Sequence, residues 1–299
     1  MVLAVVELLS APLHNGHNFL VYGKYIMSVG SDFHSKNKIC PEKFKNVLWT
    51  GGWDSTFRVL DLVLRLKNDV QPFYLVDNLR NSVDVEQETM ERIRLIIGDR
   101  SPKALSRIKP LLVIKLDNLE KADDFKAAHA RLRLQGHLGR QYPLIARFAQ
   151  EYGVEDLELS VHRDDRAYDF IRPHVESVRD NNDEWFELMN DAPNDVRCLF
   201  GNLLFPILEL TKLDMEEIAK KQGYIDILEE TWFCHNPTRR KTPCGVCNPC
   251  VYTIKEGLSR RIPFAGRLRY RRNQALDVID DFLPKSLSWR FRKFTRFLR

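Results

Sequence analysis

Long apolar runs are missing from this chain of 299 residues. No stretch approaches the roughly 20 apolar residues that a membrane-spanning helix needs, so a bundle of membrane helices is excluded. The apolar start, MVLAVVELLSAPLH, has no basic flank and meets its first acid at Glu7, so it is read as something other than a signal peptide. Internal repeats and low-complexity segments are absent. So are the Gly-Lys-Ser/Thr ending of a Walker A loop and the G-x-G-x-x-G fingerprint of dinucleotide binders. Cysteines are few, six in all, and four of them fall between Cys234 and Cys250. That clustering excludes a distributed disulfide framework and points to a metal site in a reducing compartment, taken here as the cytoplasm. Cys40 and Cys198 read as small apolar residues.

What is present is ordinary globular material, 44% hydrophobic and 29% charged, enough for a sizeable core. The net charge of +5 is uneven. Twelve Lys/Arg and three Asp lie between Arg260 and Arg299, which leaves the remainder slightly acidic. From residue 45 onward the hydrophobic period switches repeatedly between strand and helix. Strand character is read around Val47–Trp49, Val70–Val76, Leu111–Leu116, Leu157–Ser160 and Leu203–Ile207. Helices are expected over Ser55–Leu66, Val83–Ile97 (with Gly98 as its stop), 121–134, 143–152 and the segment after Thr211. Thr211 with Asp214 forms a capping-box signature, and Gly223 closes that helix. Five alternations imply an α/β fold: a five-stranded parallel sheet with helices on both faces. Ligands of such sheets sit at the carboxyl ends of the strands.

The first strand runs into LWTGGWDSTF and then into a helix. Glycine at such a junction lets an anion approach peptide N–H groups, and the helix N-terminus adds partial positive charge. Thr50, Ser55 and Thr56 offer hydroxyls to the same anion. Asp54 is out of place in an anion cradle unless it binds Mg²⁺ or caps the helix. The second signal is Cys234-x9-Cys244-x2-Cys247-x2-Cys250. Four thiolates at that spacing fit tetrahedral Zn²⁺ with no open position, a structural site. An iron–sulfur cluster, CxxC redox chemistry, or His235 in place of one thiolate stay open at this stage.

The loop Thr50–Thr56 resembles the SGGxDS loop of the N-type ATP pyrophosphatases (the PP-loop superfamily), with Thr50 for the first serine. Together with the cysteines, the chain resembles the 7-cyano-7-deazaguanine synthases of queuosine biosynthesis over roughly residues 45–258. The residues that carry the likeness are Thr231-Trp232-x-Cys234, Cys244-Gly245-x-Cys247-x-x-Cys250 and Leu210-Thr211-Lys212. This resemblance implies a Rossmann-like sheet of the adenine nucleotide alpha hydrolase (HUP) kind. It also implies an ATP-dependent carbon–nitrogen ligase that adenylates a small-molecule carboxylate, releases pyrophosphate and uses ammonia. By the likeness, Thr50, Gly51, Gly52, Trp53, Asp54, Ser55, Thr56, Asp77 and Lys212 would hold ATP and Mg²⁺, with Asp54, Ser55 and Lys212 catalytic. Ser160, Asp165 and Tyr168 would face the acceptor, and the four cysteines would hold Zn²⁺.

The chain departs from the family's pattern in places. Ser160 stands for a glycine, Tyr168-Asp169-Phe170-Ile171 replaces a Tyr-Pro-Asp-Cys segment, and Thr253 stands where an arginine is expected. A relative with another acceptor therefore stays open, as do a PP-loop sulfur transferase acting on tRNA and a non-catalytic nucleotide-binding protein.

The division expected is an N-terminal extension over 1–44, the ATP-binding domain over 45–225, the cysteine subdomain over 226–262 and a basic tail over 263–299. The HxGH-like His14-Asn15-Gly16-His17 is set aside, because only about 30 residues separate it from the first strand. The aromatic and basic tail is read as packing on the core in preference to touching nucleic acid or an anionic membrane, and a homodimer is left open.

Overall fold

The structure is a computed structural model that describes residues 27–28, 44–76, 81–116, 119 and 123–282. Its centre is a parallel sheet. The strands are β1 (Met27–Ser28), β2 (Lys45–Leu48), β3 (Val70–Val76), β4 (Leu112–Lys115), β5 (Leu157–Glu158) and β8 (Leu203–Leu204), in spatial order β1-β4-β3-β2-β5-β8. The five parallel strands read from the sequence are all present. The two-residue β1 joins as a sixth at the β4 edge, inside the segment assigned to the N-terminal extension. β5 and β8 are shorter than the apolar runs that announced them.

Both faces of the sheet are covered, and the strand residues alternate between the two sides. Leu48, Phe73 and Ile114 point into a core shared with α4 (Asp123–Leu132), α5 (Gln141–Glu151) and α7 (Asn194–Phe200). Val47, Trp49 and Tyr74 point the other way. They pack on α1 (Trp53–Leu60), α2 (Val83–Arg100), α8 (Lys212–Gln222) and α9 (Ile225–Glu229). Such two-sided burial explains why the strands read as continuous apolar runs.

α8 shows how far local chemistry fixes an element. Thr211 accepts from the Asp214 amide while the Asp214 carboxylate accepts from Thr211, and Gly223 ends the helix in the left-handed region at φ 77°. Gly98 does not stop α2. It lies inside the helix, where a Cβ would come within 2.8 Å of Leu105 on α3 (Pro102–Leu105), so its service is close packing. α2 ends instead at Ser101, which caps α3 by accepting from Ala104.

Among the elements not anticipated, a hairpin matters most for the site. β6 (Val175–Asp180) and β7 (Asp183–Leu188) form an antiparallel hairpin beyond the short helix α6 (Tyr168–Ile171). The hairpin is fastened to α1 by charge. Arg58 donates to both oxygens of Glu158 on β5 at 2.7 and 2.8 Å and to both oxygens of Asp183 at 2.8 Å. All three side chains are buried. The two carboxylates, outweighing the cost of burial, raise Arg58 above its usual range.

The cysteine segment runs into α10 (Asn248–Lys255), which has Cys247 as its N-cap and carries Cys250, and then leads on to α11 (Phe264–Phe282), which lies within the stretch assigned to the tail. Among the described residues no helix is long and apolar enough to cross a membrane.

Candidate nucleotide cavity and metal centre

After β4 the chain crosses back past β2 to lay down β5, so β2 and β5 flank the point where the strand order reverses. A cavity of about 620 Å³ opens at their carboxyl ends. This is where an open α/β sheet places its ligand. Leu48, Leu75, Leu116 and Leu159 form apolar walls. Thr50, Gly52, Asp54 and Ser55 supply one polar side, and Ser160 and Asp165 the other.

The loop is shaped for backbone approach. Gly51 sits at φ 69°, and a Cβ there would lie 3.1 Å from the Glu86 carbonyl and 3.1 Å from Met90. Gly52 is the N-cap of α1 and brings no side-chain cap, so the first amides of the helix have no intrahelical acceptor. Ser55 Oγ accepts from the Thr50 amide at 3.2 Å and lies 3.2 Å from Thr50 Oγ1, which folds the loop over its own hydroxyls.

Asp54 does not cap the helix. Its Oδ1 is buried without a hydrogen-bond partner, while Oδ2 faces Lys212 Nζ at 3.7 Å and His162 Nε2 at 3.9 Å. His162 Nδ1 accepts from the Asp164 amide at 3.2 Å, which leaves the proton on Nε2, the nitrogen facing Asp54. Lys212 also pairs with Glu256 at 2.8 Å. Burial alone would lower its pKa, but Asp54 and then Glu256 outweigh that, so the ammonium is held above its ordinary value and stays charged.

Other expected site residues fall elsewhere. Thr56 is fully buried, and its hydroxyl accepts from the Trp49 indole at 2.9 Å; it ties strand to helix and does not reach the cavity. Trp53 is buried too, its ring beneath the Arg261 guanidinium, so only its backbone belongs to the loop. Tyr168 does not line the cavity: its hydroxyl donates to Glu209 at 3.2 Å. Asp165 does line it, and among the described residues it is paired with neither Arg163 nor Arg166; its Oδ1 accepts from the Ala167 amide at 2.8 Å and from Tyr142 at 3.3 Å. Ser160 Oγ is buried beside it with no partner. Asp77 lies outside the described residues, as do Cys40 and the His14–His17 motif. His162, Glu256, Tyr142 and Arg140 were not among the expected site residues; His162 stands between Ser160 and Asp165, and the other three have no motif of their own.

The four cysteines converge. Their sulfurs lie within 4.8 Å of one another, with Cys244–Cys250 and Cys234–Cys247 each at 3.8 Å. A tetrahedron with metal–sulfur bonds of about 2.3 Å has edges of about 3.8 Å, so the spacing fits one zinc ion. An iron–sulfur cluster would divide the four sulfurs among two or four irons and spread them wider. Backbone amides of Cys244, Val246 and Cys247 donate to Cys234 or Cys244 sulfur at 3.2–3.4 Å, an arrangement that favours thiolates. Hydrogen bonds from Cys234 and Cys250 hold Cys247 well below the usual thiol range. Cys234 is pushed up to about 12 by its bond to Cys247, and Cys250 is raised as well. Four thiolates at this separation repel one another, and a central cation removes that repulsion. His235 stands outside this set and lines the cavity beside the glycine loop.

The two sites touch through backbone. The Trp232 amide donates to the Gly51 carbonyl at 2.9 Å, two residues before the first cysteine. Arg261, stacked on Trp53 at 4.9 Å and Phe233 at 5.1 Å, donates to Thr231 Oγ1 at 2.8 Å. Glu256, the C-cap of α10, carries the cysteine subdomain's contact to Lys212.

Residues 142–260 match the family model described as the queuosine biosynthesis protein QueC. This segment is QueC-like. The matched stretch runs from α5 into the residues after α10 and contains all four cysteines. The glycine loop lies before the matched residues, and what joins it to the QueC-like segment is the geometry of the cavity. No curated protein matches the chain.

Proposed function

We propose that the chain is an ATP-dependent ligase that adenylates an acceptor carboxylate, and that it acts as a 7-cyano-7-deazaguanine synthase or as a relative with a changed acceptor. The observation that carries this reading is the single cavity that joins the Thr50–Ser55 loop to Ser160 and Asp165, with a charged lysine behind Asp54.

In this reading the amides that open α1, with Thr50 and Ser55, hold the β and γ phosphates of ATP. The acceptor carboxylate attacks the α-phosphorus, the bond to the bridging oxygen breaks, and pyrophosphate leaves. Ammonia then attacks the acyl carbon and AMP departs, giving an amide. A second adenylation, now of the amide oxygen, followed by loss of AMP and protons leaves the nitrile. Lys212 supplies fixed positive charge where phosphate charge builds up, and His162 adds an N–H donor. Asp165 and Ser160 present an acceptor and a donor to the heterocycle.

Asp54, with one buried oxygen unpartnered, is the residue that would hold Mg²⁺; such an ion neutralises triphosphate charge. Zinc fits the cysteines and would hold the Trp232 amide against Gly51. A sulfur transferase is disfavoured because the described cysteines outside the cluster come down to Cys198, whose thiol burial raises above its ordinary value.

The test is product analysis by mass spectrometry after incubation with ATP, Mg²⁺, ammonia and 7-carboxy-7-deazaguanine. Nitrile with AMP and pyrophosphate supports the synthase. AMP formation with a different carboxylate alone supports the changed acceptor. ADP in place of AMP rejects adenylyl transfer.

A further inference from the structure

Lys212 holds its charge in an unfavourable place. It is the first residue of α8, at the positive end of that helix, and only 14% of its side chain is exposed. Both conditions act against an ammonium. Asp54 Oδ2, at 3.7 Å, is too far for a hydrogen bond. Glu256 is closer: its carboxylate lies 2.8 Å from Nζ, and only 13% of its side chain is exposed. Among the described residues Lys212 is its one ionic partner.

Glu256 is held from the cysteine side. It is the C-cap of α10, whose N-cap is Cys247 and whose first turn carries Cys250. Its amide donates to the Tyr252 carbonyl at 2.8 Å and the Leu258 amide to the Thr253 carbonyl at 2.9 Å, so the helix ends in a tight turn. Gly257 makes that turn at φ 86°, where a Cβ would lie 3.2 Å from Leu213, the neighbour of Lys212. Leu258 is buried in the core that α8 shares with the sheet. The carboxylate therefore stands on a short helix that has the cysteines at one end and α8 at the other. We propose that Glu256 is a positioning residue for the reaction: it holds the Lys212 ammonium behind Asp54, so that the charge is in place before a triphosphate arrives. The proposal rests on the reading of the cavity as an adenylylation site. It gives the cysteine segment two separate tasks there. The Trp232 amide braces the glycine loop, and Glu256 sets the charge beside it.

The test is Glu256→Gln, which keeps the shape and removes the charge. It should lower kcat for AMP formation by about 10- to 100-fold while KM for ATP stays within about twofold and metal content is unchanged. A loosened cysteine segment would instead move metal content and KM. Glu256→Asp, with the charge on a shorter arm, should recover part of the rate. In a Lys212→Ala background Glu256→Gln should change the rate by less than about twofold, because its partner is gone. A readout without turnover is acylation of Lys212 by acetic anhydride, followed by peptide mass spectrometry. Its rate should rise about tenfold in Glu256→Gln, while Lys220 at the other end of α8 keeps its rate. An unchanged kcat, an equal loss with and without Lys212, or unchanged labelling of Lys212 overturns the proposal. If the wild type makes no AMP from any carboxylate, the reading of the cavity falls, and the labelling still decides whether Glu256 holds the ammonium.

Discussion

The glycine loop and the cysteine cluster stand beside each other and solve opposite problems. At the cysteines every sulfur faces the others, and backbone amides donate to two of them. Nothing there is left for a reactant. At the loop, helix amides, Asp54 Oδ1 and Ser160 Oγ have no protein partner although the last two are buried. Buried polar atoms without partners cost stability, so a fold keeps them where a ligand completes them. A closed set of ligands suits an ion that stays, and an incomplete set suits a molecule that turns over. Through the Trp232–Gly51 hydrogen bond the cysteine segment braces the glycine loop.

The largest break in that comparison is metal removal. Cys247→Ser, or chelation of the wild type, should abolish stoichiometric zinc and with it binding energy of about 10–16 kcal/mol, to be seen as a large drop in melting temperature. Nucleotide affinity should fall as well, because Gly51 loses its brace; isothermal titration with ATP checks this.

Arg58→Ala comes next. It strands Glu158 and Asp183 in the interior and should cost about 3–5 kcal/mol in urea unfolding with zinc retained. The same cluster gives a pH signature. Burial opposes ionisation of Asp183, yet Arg58 and Lys45 outweigh it and lower its pKa. A depressed carboxylate contributes stability above its unfolded value and loses it as pH falls through the folded one. The wild type should therefore lose stability below about pH 4, and Asp183→Asn should flatten that limb in pH-dependent unfolding.

Lys212→Ala should lower AMP formation by about 10²–10³-fold with zinc content unchanged, at the cost of some stability as Asp54 and Glu256 lose their cation, whereas Lys212→Arg should keep the charge and most of the stability. The smallest effect belongs to Gly51→Ala, whose left-handed backbone and close contact with the Glu86 carbonyl cost about 1–2 kcal/mol. Here ATP affinity should fall while metal content stays the same.

Much of this was legible in the chain itself, for local reasons. Gly51-Gly52 between an apolar run and a helical one, the box at Thr211–Asp214 and the cysteine spacing each encode their geometry within a few residues. The hairpin Val175–Leu188 was not legible. Its first strand is mostly exposed, its second is charged and mostly half-buried, and its buried members include Asp183, which alternation would place in solvent. Its two-residue turn Asn181-Asn182, with Asn181 at φ 53°, was the one available signal. His162, Glu256 and Tyr142 reach the site through the fold, and no spacing announces contact across such separations. The role expected of Thr56 failed for a related reason: a hydroxyl in a loop motif reads as a donor to ligand until the Trp49 indole is seen to claim it.

The measurement that tests adenylyl transfer at the Thr50 loop most directly follows oxygen. With an acceptor carboxylate labelled with oxygen-18, the oxygen activated by ATP should leave with AMP, so mass spectrometry should find AMP carrying one heavy oxygen and pyrophosphate carrying none. Unlabelled AMP, or label found in phosphate beside ADP, would contradict the account.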